Sequence, residues 1–154
     1  MLFALCCLSC STADRDPAEA TRRNDDTSAA AAPRAAKRGS LVDGDERSEW
    51  MLTTGVDGGT SIEEDARFGD DGQAHRVFTF DKGGTLLRAT EQRTGTVHSG
   101  NASPAQMRSE LIVDFSGPVP SARKMVDGVP RDVQSFEIDN IRRRADLLRV
   151  QAQR

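Results

Sequence analysis

Cysteine is missing from all but the first ten residues of this 154-residue chain: Cys6, Cys7 and Cys10 are its only three. A fold stapled by disulfides or built round structural zinc would spread cysteines through the domain, so neither is expected. Tyrosine is absent, tryptophan occurs once and aromatics reach only 5%, which leaves few stacking platforms for bases or sugars. A basic excess is lacking too. The 21 Lys and Arg and 24 Asp and Glu are interspersed and leave a net charge of −3, whereas a nucleic-acid binder concentrates positive charge on one patch. No nucleic-acid partner is expected. No apolar run approaches the ~20 residues that a membrane-spanning helix needs. There is no phosphate-binding glycine loop, no G-x-S-x-G elbow and no H-E-x-x-H zinc motif. The chain therefore reads as a non-enzyme without a cofactor.

What is present begins at the N-terminus. Met1-Leu2-Phe3-Ala4-Leu5-Cys6-Cys7-Leu8-Ser9-Cys10 is a short apolar run that turns polar immediately afterwards. With small Ser9 directly before Cys10, the stretch Cys7-Leu8-Ser9-Cys10 resembles the end of a bacterial lipoprotein signal peptide. Cys7 stands where that pattern usually has leucine, and no Lys or Arg precedes Cys10; a start upstream would supply the missing basic region. The resemblance implies that Cys10 becomes a lipid-modified N-terminus anchored in a leaflet by its acyl chains. Ser11, rather than Asp, after that cysteine implies the outer membrane of a Gram-negative bacterium. Two other readings stay open. Cys7-Leu8-Ser9-Cys10 also has the C-x-x-C spacing of a redox dithiol or half a zinc site, and the run also suits an ordinary secretory peptide.

Residues 11–46 read as a disordered tether. No Val, Ile, Leu, Phe or Met occurs between Ser11 and Ser40, and a segment with nothing apolar to bury does not offset an ordering cost of about 1–2 kcal/mol per residue. About 35 flexible residues hold a domain roughly 30–35 Å from its anchor.

Residues 47–154 read as a small α+β domain: an antiparallel sheet of four to five strands, built as a meander of hairpins and packed by one C-terminal helix. Trp50 and Leu52 share a face by strand alternation. Thr60 to Phe68 is ambiguous, because Thr60 and Glu63 suit a helical capping box while Ile62, Ala66 and Phe68 share strand parity. Arg76 to Phe80, the turn Asp81-Lys82-Gly83-Gly84 and Thr85 to Thr90 form the clearest hairpin. Leu111, Val113 and Phe115 alternate with Glu110 and Asp114, and Ala122 to Val126 pairs back. From Phe136 the period changes: Ile138, Ile141, Ala145, Leu148 and Ala152 fall at helical spacing, with Ser135 or Asp132 as N-cap.

Candidate chemistry is sparse. His75, at the start of a strand, and His98, in a polar loop, are the only histidines and the natural candidates for binding or general-base work. Glu63-Glu64-Asp65 and Asp70-Asp71 lack calcium-loop spacing and read as solvated turns. Arg142-Arg143-Arg144 suits an exposed helix face or contact with lipid phosphates, which makes Arg142 and Arg143 binding candidates. The expectation is a lipid-anchored extracytoplasmic binding or interaction module, held to the membrane by its anchor and taking an unknown protein or small-molecule ligand. The alternatives are a secreted or periplasmic enzyme or inhibitor with an unfamiliar site near His75, and an envelope-assembly scaffold recruiting a partner at a strand edge.

Overall fold

The computed structural model of the chain describes residues 34–69, 72–97 and 103–154. Eight strands follow in sequence: β1 (Arg34–Asp43), β2 (Glu46–Thr54), β3 (Thr60–Phe68), β4 (Gly72–Phe80), β5 (Leu86–Val97), β6 (Ala105–Asp114), β7 (Ser121–Val126) and β8 (Val129–Arg131). Each pairs antiparallel with its chain neighbours in one sheet of order β1 to β8. Helix α1 (Ser135–Gln153) covers one face. The α+β class, the meander and the C-terminal helix agree with the sequence; the strand count is higher than four to five.

Alternation sets which side chains face the helix. Trp50, Ile62, Ala66, Ala74, Phe78, Phe80, Ala89, Leu111 and Val113 are buried on that side, with polar neighbours turned outward as period-2 geometry requires. From α1, Ile141, Ala145, Leu148 and Ala152 close the core. Thr60 to Phe68 resolves as strand β3. Its nine-residue pairing with β2 and with β4 outweighs any local capping box.

The extra strands lie where side chains give little signal. β1 falls inside the stretch expected to be tether, pairing with β2 from Arg34↔Thr54 to Asp43↔Glu46. It is an edge strand, tied to the rest by its ladder with β2, by Leu41 packed against the core and by a close fit at Gly39. A Cβ at Gly39 would overlap the Trp50 ring. β8 is a three-residue edge containing Pro130, which has no N–H to offer a further strand.

Helix α1 lies across the sheet, from β7 at its start to β1 at its end. At its start Glu137 accepts the backbone N–H of Gln134 at 2.9 Å and an ion pair from Lys124 of β7 at 2.6 Å. Gln134 is thus the N-cap, rather than Ser135 or Asp132. Ser135 instead begins the helix, and the Glu137 carboxylate reaching back to Gln134 satisfies a donor the first turn leaves open. At the other end Lys37 of β1 donates to the Ala152 carbonyl at 2.8 Å, and Arg149 donates to the Gly84 carbonyl at 2.9 Å. No described helix is long and apolar enough to cross a membrane.

Candidate functional site

The cross-strand register lines up Trp50, Glu64, Arg76, Glu91 and Leu111 as one row on the helix-covered face. Three charged residues therefore enter a row whose neighbours are core. Glu64 is completely buried and Arg76 is 5% exposed. Above them α1 turns Arg144 inward, three residues beyond Ile141 on the buried stripe, so that it too is only 9% exposed.

The four side chains Glu46, Glu64, Arg76 and Arg144 close a ring. Arg76 Nη1 lies 2.6 Å from Glu46 and 3.0 Å from Glu64. Arg144 Nη2 lies 2.7 Å from Glu46 and 2.6 Å from Glu64. Glu91 takes the Nε of Arg76 at 2.6 Å, Asp43 takes the Nη1 of Arg144 at 3.1 Å, and Ser48 accepts from Arg144 at 3.2 Å. Burial on its own would push the Glu64 pKa up; hydrogen bonds from Arg144 and Ser48, the Arg144 charge and a bond from Arg76 outweigh it and hold the carboxyl below its ordinary range. Burial likewise pulls Arg76 down, but Glu46 and Glu91 more than compensate and keep its guanidinium firmly charged. Glu64 and Arg76 are thus both ionised at neutral pH, each held charged by the side chains around it.

Beside the ring, between α1 and the sheet, opens a cleft of about 360 Å³. Its polar wall includes Arg76, Glu91, Arg93 and Arg143; its apolar wall includes Leu111, Ile141, Leu147 and Phe136. Arg93 stacks on the Phe68 ring at 4.4 Å, and its Nε is buried with no hydrogen-bond partner. Phe136 is 61% exposed, an aromatic left at the cleft instead of the core. A site with these walls can grip charged groups of either sign and shelter an apolar body; the volume is at the small-metabolite end of ligand pockets.

The residues singled out from sequence scatter. Cys10 and His98 lie outside the described residues, as do Asp70 and Asp71. His75 sits on the outer face, away from the cleft, where its Nδ1 lies 2.8 Å from Asp65 in a solvent-exposed pair. Arg142 is exposed and stacks over Phe115 at 4.9 Å. Arg143 alone reaches the cleft, where it donates to Asn140 at 3.0 Å. Among the described residues no three His, Cys, Asp or Glu side chains converge to hold a metal.

Two readings need correction. Glu63-Glu64-Asp65 is not a solvated turn but part of β3, in which Glu63 and Asp65 face out and Glu64 faces the core. Arg142-Arg143-Arg144 is not uniformly an exposed helix face, because Arg144 is buried on Glu64. Both have a signal in the sequence: Glu64 shares parity with Ile62 and Ala66, and Arg144 lies on the stripe of Ile141, Ala145 and Leu148. Opposite charges on two apolar faces that must meet are a signature of a buried pair.

No protein-family model, curated protein or solved structure matches this chain. Its functional reading therefore rests on the geometry.

Proposed function

We propose that this protein is a small-molecule binding module of the bacterial cell envelope, anchored through Cys10 and carrying its ligand site in the cleft between α1 and the sheet. The cleft carries the reading. It is walled by charged side chains already held in place by the ring, so little ordering is needed when a ligand enters, and it has an aromatic at its side. The anchor rests on Ser9-Cys10 at the end of an apolar run, and the outer membrane on Ser11. Binding at the cleft is favoured over recruitment at a strand edge, since the long β1 edge carries Lys37 and Arg38 and a bulge, features that discourage further pairing. It is favoured over catalysis because the only described histidine, His75, pairs with Asp65 in open solvent on the other face.

Two measurements test the two halves of the proposal. Full-length protein made in a Gram-negative host should partition into the detergent phase, and Cys10→Ala should leave it unprocessed or soluble; wild-type protein recovered wholly in the aqueous phase with an unmodified Cys10 removes the anchor. A thermal-shift screen of small charged and amphiphilic compounds should yield stabilisers of wild type whose effect is lost in Phe136→Ala. A screen without one stabiliser, or with stabilisers indifferent to Phe136, removes the cleft.

A further inference from the structure

We propose that the ligand of the cleft is a small zwitterion with an apolar body, of the type of a hydrophobic α-amino acid; this rests on the cleft being the binding site. The charges around it cancel. The carboxylates of Asp43, Glu46, Glu64 and Glu91 face the guanidinium groups of Arg76, Arg93, Arg143 and Arg144, while Glu137 is committed to Lys124. A ligand of net charge entering a half-enclosed site gives up solvation and leaves one charge unmatched. A zwitterion leaves the balance at zero.

Capacity of both signs remains unspent. Arg93 Nε is a buried donor without a partner, and Arg76, 6% exposed at its side chain, donates through Nε and Nη1 with Nη2 still free among the described residues. On the acceptor side, among the described residues Glu91 uses only Oε2, on Arg76, and leaves its other oxygen unpaired. Arg93 and Glu91 are two residues apart on the same face of β5, so a free donor and a free acceptor stand side by side. The carboxylate and ammonium of an α-amino acid are borne on one carbon and can be bracketed by such neighbours. Its side chain then has Leu111, Leu147 and Phe136 to lie against. At about 360 Å³ the cleft suits such a ligand and is small for a lipid or a folded partner.

The test uses the intact protein and three probes: leucine, N-acetylleucine, which lacks the ammonium, and leucine methyl ester, which lacks the carboxylate. Calorimetry, with the fluorescence of the single Trp50 as a second signal, should show saturable leucine binding about tenfold or more tighter than either derivative, since each leaves a charged wall group unpaired. Arg93→Gln and Glu91→Gln should each weaken leucine about tenfold. Because those two side chains are half-buried and Glu91 also holds Arg76, Phe136→Ala at an exposed position serves as the second variant, and should weaken leucine while melting like wild type. If N-acetylleucine or the ester binds as tightly as leucine, and Phe136→Ala weakens it, the cleft is a site for a singly charged ligand: the zwitterion proposal falls and the binding reading stands. If none of the three probes binds, the proposal is overturned, and the thermal-shift screen separately decides whether the cleft binds anything else.

Discussion

The interface between α1 and the sheet has two halves that are differently made. Towards the C-terminal end, Ala145, Leu148 and Ala152 meet Ile62, Phe78, Phe80 and Val113 in a dry apolar core. From the middle of the helix, Arg144 meets Glu64 and Glu46, which also hold Arg76. The apolar half gains free energy from every square ångström it buries, at roughly 25 cal/mol, and works for any side chains of about the right shape. The charged half gains little net stability, because desolvating the ions offsets most of their attraction. What it adds is specificity: Arg144 has one place where each of its three guanidinium nitrogens finds a partner, and that place fixes the rotation and register of the helix beside the cleft.

The comparison can be broken most severely from the apolar side. Leu148 is fully buried, and Leu148→Ala is expected to cost about 3–5 kcal/mol, a large share of the stability of a domain this size. A urea melt of the variant should show it, and a wild-type midpoint would mean that α1 is not docked through this stripe.

From the charged side the expected loss is a little smaller and depends on pH. Glu64→Gln should cost about 3 kcal/mol at neutral pH, the low end for breaking a buried pair, because Glu46 and Asp43 still face Arg144. Glu64 titrates below its ordinary 4.5 in the folded protein. Its contribution is therefore complete above that pH and is lost as pH falls through the lower, folded value. Wild type should weaken on acidification along that limb, and the Gln variant should weaken less steeply. Parallel pH profiles for the two proteins would show that the Glu64 charge adds nothing to folding.

Two smaller effects sharpen the contrast at its margins. Gly39→Ala places a methyl group against Trp50 and should cost about 2 kcal/mol by overpacking, with a change in Trp50 emission; an unchanged melt would mean that β1 yields freely at this point. Arg142→Ala removes only an exposed stack on Phe115 and should shift stability by about 0.5 kcal/mol. A loss as large as that of Glu64→Gln would mean that the arginine triplet acts as one unit, contrary to the burial of Arg144 alone.

Much of this fold is legible in the chain. Leu111 and Val113 announce β6 by alternation, the glycines of Asp81-Lys82-Gly83-Gly84 announce the β4–β5 hairpin, and Ile141, Ala145 and Leu148 announce the helix. β1 is not legible, since an edge strand that places Gly39 under a ring and only Leu41 against the core has no apolar alternation to read. The site is legible only in pieces. Arg143 is visible as a charge on a helix, but nothing local tells it from Arg142, which faces Phe115; only Arg144 is set apart, by lying on the stripe of Ile141, Ala145 and Leu148.

By itself the sequence determined the periods: which residues alternate, where the period changes from strand to helix, and which apolar stripes require a partner. Those follow from backbone geometry and from the cost of exposing apolar surface, and both act over a few residues. Only the tertiary structure decided that Glu64 and Arg144, 80 positions apart, would satisfy each other, and that Arg93 and Glu91 would be left beside a cleft with bonding capacity to spare. Pairing of buried charges depends on distances between elements. Those distances exist only once eight strands have set their register and the helix has been laid across them.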